Sequence, residues 1–138
     1  MSIIYIKTEG EFDKLKETDK LLLVKFGATW CGPCKQIKSN LEKIAESEIN
    51  NIIVIDIDVD EVQESDWSWV SEVENLPIFR FIRKGVQLDE YSGSNVEKIH
   101  DIIRKLYLSN FTFLIFFLTF SWTFFLTLFW VSQFMGHF

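Results

Sequence analysis

Both cysteines of this 138-residue chain fall in one pentapeptide, Trp30-Cys31-Gly32-Pro33-Cys34, directly after the apolar run at 21–26. With no third cysteine, a disulfide within one chain can form only here. Such a bridge closes a very short loop, so it stabilises little by restricting the unfolded chain. The pair is better suited to chemistry, as a dithiol that opens and closes. A C-x-x-C that follows a strand and opens a helix inside a β-α-β pattern has the arrangement of a redox site.

The rest of the chain splits into two unlike parts. Every Lys, Arg, Asp and Glu lies between Lys7 and Lys105, and ten of the fourteen Phe lie beyond Lys105. This composition predicts a charged domain over 1–108 and an apolar tail over 109–138, with the boundary near Ser109-Asn110. The net charge of −6 belongs to the domain and argues against nucleic acid, which calls for basic patches. The first residues lack the basic start and apolar core of a signal peptide, so they read as a strand.

Hydrophobic spacing then orders the elements. Residues 3–6 form a short strand, and Phe12 and Leu15 mark an amphipathic helix. The run at 21–26 reads as a strand buried on both faces. Ile37, Leu41, Ile44 and Ala45 repeat at helical spacing, 52–57 is the next buried strand, and a helix is expected over 62–73. Pro77 opens a strand at 78–82, Lys84-Gly85 turns the chain, and 86–91 returns as a hairpin. Ser94 or Asn95 caps a last helix reaching about Leu108. The order β-α-β-α-β-α-β-β-α predicts an α/β fold with a mixed central sheet flanked by helices.

Residues 1 to about 108 resemble thioredoxin. The likeness is carried by 26–35 (FGATWCGPCK), by Leu76-Pro77 before a strand, by Lys84-Gly85 at the hairpin and by Tyr91-Ser92-Gly93 before the last helix. The resemblance implies a thioredoxin fold and a protein-disulfide reductase. Cys31 would be the nucleophile, its thiolate favoured by the start of a helix, and Cys34 the resolving thiol one turn further on. Gly32 and Pro33 between them go with the family's reducing members. The resemblance also makes Pro77 a cis-proline facing the cysteines, and has Leu76 pair with the substrate chain. Trp30 would flank the site and Gly93 leave room at its rim. The expected partners are disulfide-containing proteins and a thioredoxin reductase or equivalent donor. No bound cofactor is expected beyond the redox-active Cys31–Cys34 disulfide. Zinc calls for about four ligands, and this chain has one Cys pair with His100 and His137 far apart, so no metal is expected either.

The chain also departs from the family. Lys25 stands where thioredoxins carry a buried Asp, and Asp56 falls where bacterial members often place a Lys. A swapped pair is expected, with Lys25 and Asp56 meeting across adjacent central strands, since a buried Lys without a partner is costly. The alternative is a Lys25 that snorkels to an edge. Ser39 replaces a helix-kinking proline, which predicts a straighter helix. The stretch 60–77 looks about two residues longer than in close relatives and carries Trp67 and Trp69. On a helix those two cannot both face one core, which leaves one free to recognise a partner. The acidic run at 56–74 reads as a solvated face.

Residues 111–130 hold no charge, no Gly and no Pro, enough for a helix to cross a membrane's hydrocarbon core. Arg104 and Lys105 precede them and no Lys or Arg follows, so the domain is expected on the cytosolic face of a membrane, tail-anchored. T-rich DNA read past a gene's end would encode the same composition. In that case the protein would be cytoplasmic. The competing functional class is a non-catalytic binding module that docks a membrane partner.

Overall fold

The computed structural model describes residues 3–47, 51–62 and 66–108. Its elements run β1 (Ile4–Tyr5), α1 (Glu9–Lys16), β2 (Leu21–Gly27), α2 (Gly32–Ser47), β3 (Ile52–Asp58), α3 (Ser68–Ser71), β4 (Ile78–Arg83) and β5 (Val86–Ser92). A last helix, α4, covers 96–108. The five strands form one sheet in the order β1-β3-β2-β4-β5. β2 lies at its centre, parallel to β3 and antiparallel to β4, and is buried at every position. An uninterrupted apolar run has this place in a sheet covered on both faces.

Alternation along the strands assigns side chains to the two faces. Leu22, Val24 and Phe26 join Phe12 of α1, Ile55, Ile57, Ile78 and Ile82 in one cluster. Lys25 and Gly27 point the other way, toward Cys34 of α2. α2 buries Cys34, Ile37, Leu41, Ile44 and Ala45, and it runs unbroken through Ser39. Thr8 caps α1, its hydroxyl accepting the Glu11 N–H. Asn95 caps α4, its side-chain Oδ1 accepting the N–H groups of Glu97 and Lys98 at 2.9 and 3.4 Å. The hairpin turn has positive φ at both Lys84 and Gly85, which suits the twist of the flanking strands.

The stretch expected to be helical over 62–73 differs. Only Ser68–Ser71 is helical among its described residues, and Trp67 before it is extended. The helical spacing argument for the two Trp therefore fails. Both rings pack on Phe12, with centroids 5.5 Å away for Trp67 and 5.4 Å for Trp69. Trp67 is 1% exposed and Trp69 partly buried, so both serve the core. Arg80 of β4 fixes this segment from below. Its Nη1 donates to the Trp69 carbonyl at 2.8 Å, and its guanidinium lies 5.1 Å from the centre of the Phe26 ring and 5.5 Å from that of Trp69.

Contacts group the chain into two units, Met1–Ile99 and His100–Phe138. In the described part of the second, 100–108, Ile103 and Leu106 are buried and Arg104 pairs with Asp101 at 3.3 Å. Among the described residues no helix is long and apolar enough to cross a membrane. The apolar run at 111–130 and the boundary near Ser109-Asn110 lie outside the described residues.

Candidate active site

The end of β2 and the start of α2 bring the chemistry together. Gly27 ends the strand, the chain turns through 28–31, and α2 begins at Gly32. Pro33 sits in the first turn, where a missing N–H costs no helical bond. Cys31 and Cys34 are joined in a disulfide with their Cα atoms 5.3 Å apart. Both are buried, and with Ala28 they form a small cluster on which Val59 and Leu76 pack. The backbone N–H of Cys34 points at the Cys31 sulfur, 3.3 Å away. That donor, with the helix N-terminus behind it, stabilises negative charge on Cys31 when the bond is reduced.

Around the disulfide stand the other residues singled out in the sequence. Trp30 is 69% exposed, and its indole N–H donates to Asp60 at 2.7 Å. Leu76-Pro77 is a cis peptide, with Pro77 buried. The Gly93 N–H donates to the Pro77 carbonyl at 3.0 Å, which ties the start of β4 to the end of the hairpin. Gly93 has φ +133°, a region that side-chain-bearing residues rarely adopt, and a Cβ there would lie 2.7 Å from the Tyr91 hydroxyl. Backbone conformation alone thus calls for glycine at this position.

Lys25 and Asp56 are register partners on β2 and β3. The Lys25 ammonium donates to both Asp56 carboxylate oxygens, at 2.9 and 2.8 Å, and both side chains are buried. The swapped arrangement expected from the sequence is therefore met in distance, and the snorkelling alternative is not what the structure holds. Beside the pair lies a cavity of about 380 Å³, whose wall includes Lys25, Gly27, Cys34 and Asp56.

Two contributors escaped the sequence reading. Asp60 was placed in a solvated acidic face, yet it holds the Trp30 indole and is itself positioned by a bond from its N–H to Asp58 at 3.0 Å. The same run supplies Glu61 to Lys7 at 2.7 Å and Glu72 to Arg80 at 3.9 Å, so it is more than a solvated face. Gly27 lies in the motif at 26–35 but carried no role of its own, and its missing side chain leaves room for Lys25 and Cys34 beside it. An acidic residue a few positions after a buried strand, near an exposed Trp at a helix start, was the available signal for Asp60. Among the described residues no cluster of three or more His, Cys, Asp or Glu is placed to hold a metal ion.

A disulfide spanning three residues at a helix start, beside an exposed aromatic and a cis-proline, defines a thiol–disulfide oxidoreductase. The comparisons agree. The Thioredoxin family model matches residues 3–105. Human thioredoxin is 43% identical over 88 residues, which cover 64% of this chain and 81% of that protein. Rabbit (Oryctolagus cuniculus) thioredoxin is 39% identical over 103 residues, covering 73% and 95%. The X-ray structure of Fasciola hepatica thioredoxin superposes with a TM-score of 0.67 at 30% identity, covering 75% of this chain and 98% of that one. The chain belongs to the thioredoxin family.

Proposed function

We propose that this protein reduces disulfides of other proteins through Cys31 and Cys34 while its tail holds it at a membrane surface. The observation that carries the redox half is the Cys31–Cys34 disulfide at the start of α2, with the Cys34 N–H aimed at the Cys31 sulfur. In the reduced protein the Cys31 thiolate attacks one sulfur of a substrate disulfide. The substrate bond breaks, a mixed disulfide forms, and the other substrate sulfur leaves as a thiolate that takes a proton from solvent. Cys34 then loses its proton and attacks the Cys31 sulfur. The second substrate thiolate is released, and the two electrons have passed from the dithiol to the substrate. A thioredoxin reductase or equivalent donor returns the disulfide to the dithiol, with no bound cofactor in the chain.

The surfaces beside the sulfurs support protein substrates. Trp30 gives an exposed aromatic wall, and the Leu76-Pro77 backbone and Gly93 form a neighbouring rim for an extended chain. Membrane attachment through 111–130 rests on composition: twenty uncharged residues follow Arg104 and Lys105. The domain then faces the cytosol, a reducing compartment that suits a reductase.

Insulin reduction by the full chain beside its Cys31→Ser variant tests the redox half. The intact chain should precipitate insulin with a thiol donor present, and the variant should fall to the rate of donor alone. Equal rates would dismiss the reductase reading and leave the binding module. For the tail, residues 106–138 fused to a soluble reporter should stay with membranes at alkaline pH. Release into the supernatant would remove the anchor.

A further inference from the structure

We infer that Lys25, held in place by Asp56, is a positioning residue for the resolving step: its ammonium stabilises the thiolate of Cys34. This rests on the reductase reading above and assigns a role to a charge that the dithiol alone does not explain. β2 is buried at all seven positions, and Lys25 is its one charged residue, 5% exposed. A cation in such a place needs a partner, and Asp56 supplies one with both carboxylate oxygens.

The direction of the pair matters. A Cβ placed on Gly27 would lie 3.2 Å from the Lys25 Nζ and 3.3 Å from the Cys34 Sγ. Ammonium and sulfur thus both border the space that a Gly27 side chain would occupy, and Asp56 is not among the three atoms nearest that point. Of the pair, the cation is the member that borders this space together with the resolving sulfur. An opposite charge at this range favours the ionised form of a neighbouring thiol.

Burial leaves this attraction poorly screened, and the cavity gives the proton a way out. Cys34, Lys25 and Asp56 all reach its wall, so the Cys34 proton can pass to solvent as the sulfur attacks Cys31. The other ionisable groups on that wall are Tyr5 from β1, Lys35 and Lys38 from α2, Asp58 at the end of β3, and Glu61. Tyr5 lies beside Lys38 and raises its pKa above the ordinary lysine value. Glu61 is held by Lys7 at 2.7 Å.

The test uses the full chain with Cys31→Ser, which leaves Cys34 as its one thiol. The readout is the pH midpoint of Cys34 alkylation by iodoacetamide. In the charge-reversed Lys25→Asp/Asp56→Lys chain a merely structural ion pair survives, so a structural role predicts no change. The electrostatic role predicts a midpoint higher by about one pH unit or more. An unmoved or lowered midpoint in a chain with an intact circular dichroism spectrum overturns the inference. If the reversed chain does not fold, Lys25→Met/Asp56→Leu decides: a raised midpoint supports the role and an unmoved one overturns it. Insulin reduction by the unaltered protein is scored separately. An active protein with an unmoved midpoint refutes only the role of Lys25, whereas an inactive one refutes the reductase reading itself.

Discussion

Lys25 and Arg80 are both buried cations on neighbouring central strands, each 5% exposed, and they lie on opposite faces of the sheet. Arg80 spends its donors on structure. Nε donates to Glu90 at 2.8 Å, Nη1 donates to the Trp69 carbonyl, and the guanidinium packs against the rings of Phe26 and Trp69. Lys25 donates to the Asp56 carboxylate, and it also lines the cavity that Cys34 reaches and lies with the Cys34 sulfur beside Gly27. A buried charge whose hydrogen bonds and ring contacts go to structural groups acts as a clamp. One that shares a cavity wall with a reactive sulfur is placed to act on chemistry. The two sites differ in that geometry although burial alone makes them look alike.

The comparison can be broken at either end. Lys25→Met leaves the Asp56 carboxylate without its cation in the interior, which should cost about 3 kcal/mol of stability in urea unfolding. A loss under about 1 kcal/mol would mean that solvent in the cavity already compensates Asp56. Arg80→Met should cost less, about 2 kcal/mol, because Glu90 is 40% exposed and can be rehydrated. With Cys31→Ser as the common background, Arg80→Met should leave the Cys34 alkylation midpoint unchanged. A shifted midpoint there would erase the distinction between the two cations.

Removing both members of the inner pair separates stability from chemistry. Lys25→Met/Asp56→Leu replaces a buried ion pair by apolar groups, and its stability should return to within about 1 kcal/mol of the unaltered chain. Its alkylation midpoint should nevertheless stay raised. The smallest effect is the acid limb at the surface. The backbone N–H of Lys7 holds the Glu11 carboxyl below its ordinary 4.5, and a hydrogen bond from Lys84 holds Asp19 below 3.8. Their folded-state values are depressed, so the stability they contribute is present above those ordinary values and is lost as pH falls through the lowered ones. Lys84→Met should flatten the Asp19 part of that acid limb in thermal unfolding between pH 5 and 2, pH values chosen about the ordinary carboxylate range. An unchanged slope would show that the pair is too well solvated to matter.

How much of this was legible differs between the two cations. The Lys25–Asp56 meeting followed from the resemblance, which sets Lys25 at the family's buried Asp and Asp56 at a frequent Lys position, and the parallel register of β2 and β3 brings the two together. Arg80–Glu90 did not follow from the hairpin. The Lys84-Gly85 turn sets Arg83 against Val86 and Ile82 against Gln87, and simple continuation would pair Arg80 with Asp89. The register shift between Phe81 and Ile82 moves its partner to Glu90. A bulge of one residue leaves little trace in alternation. Trp67 and Trp69 were misplaced for a related reason. Helical spacing does not hold there, because Trp67 is extended just ahead of the short helix Ser68–Ser71, and Phe12, far away in sequence, takes both rings. The dithiol, Leu76-Pro77 and the succession of strands and helices along the chain were local or periodic, and those are the features that sequence spells out directly.

The central claim is that Cys31 attacks and Cys34 resolves. Trapping tests it most directly: full-length Cys34→Ser and Cys31→Ser chains, reduced and then mixed with excess insulin, are analysed by intact-mass spectrometry. A lasting covalent adduct through Cys31 is expected in the Cys34→Ser chain and little or none in the Cys31→Ser chain. Adducts through Cys34 alone, or none in either chain, would contradict it.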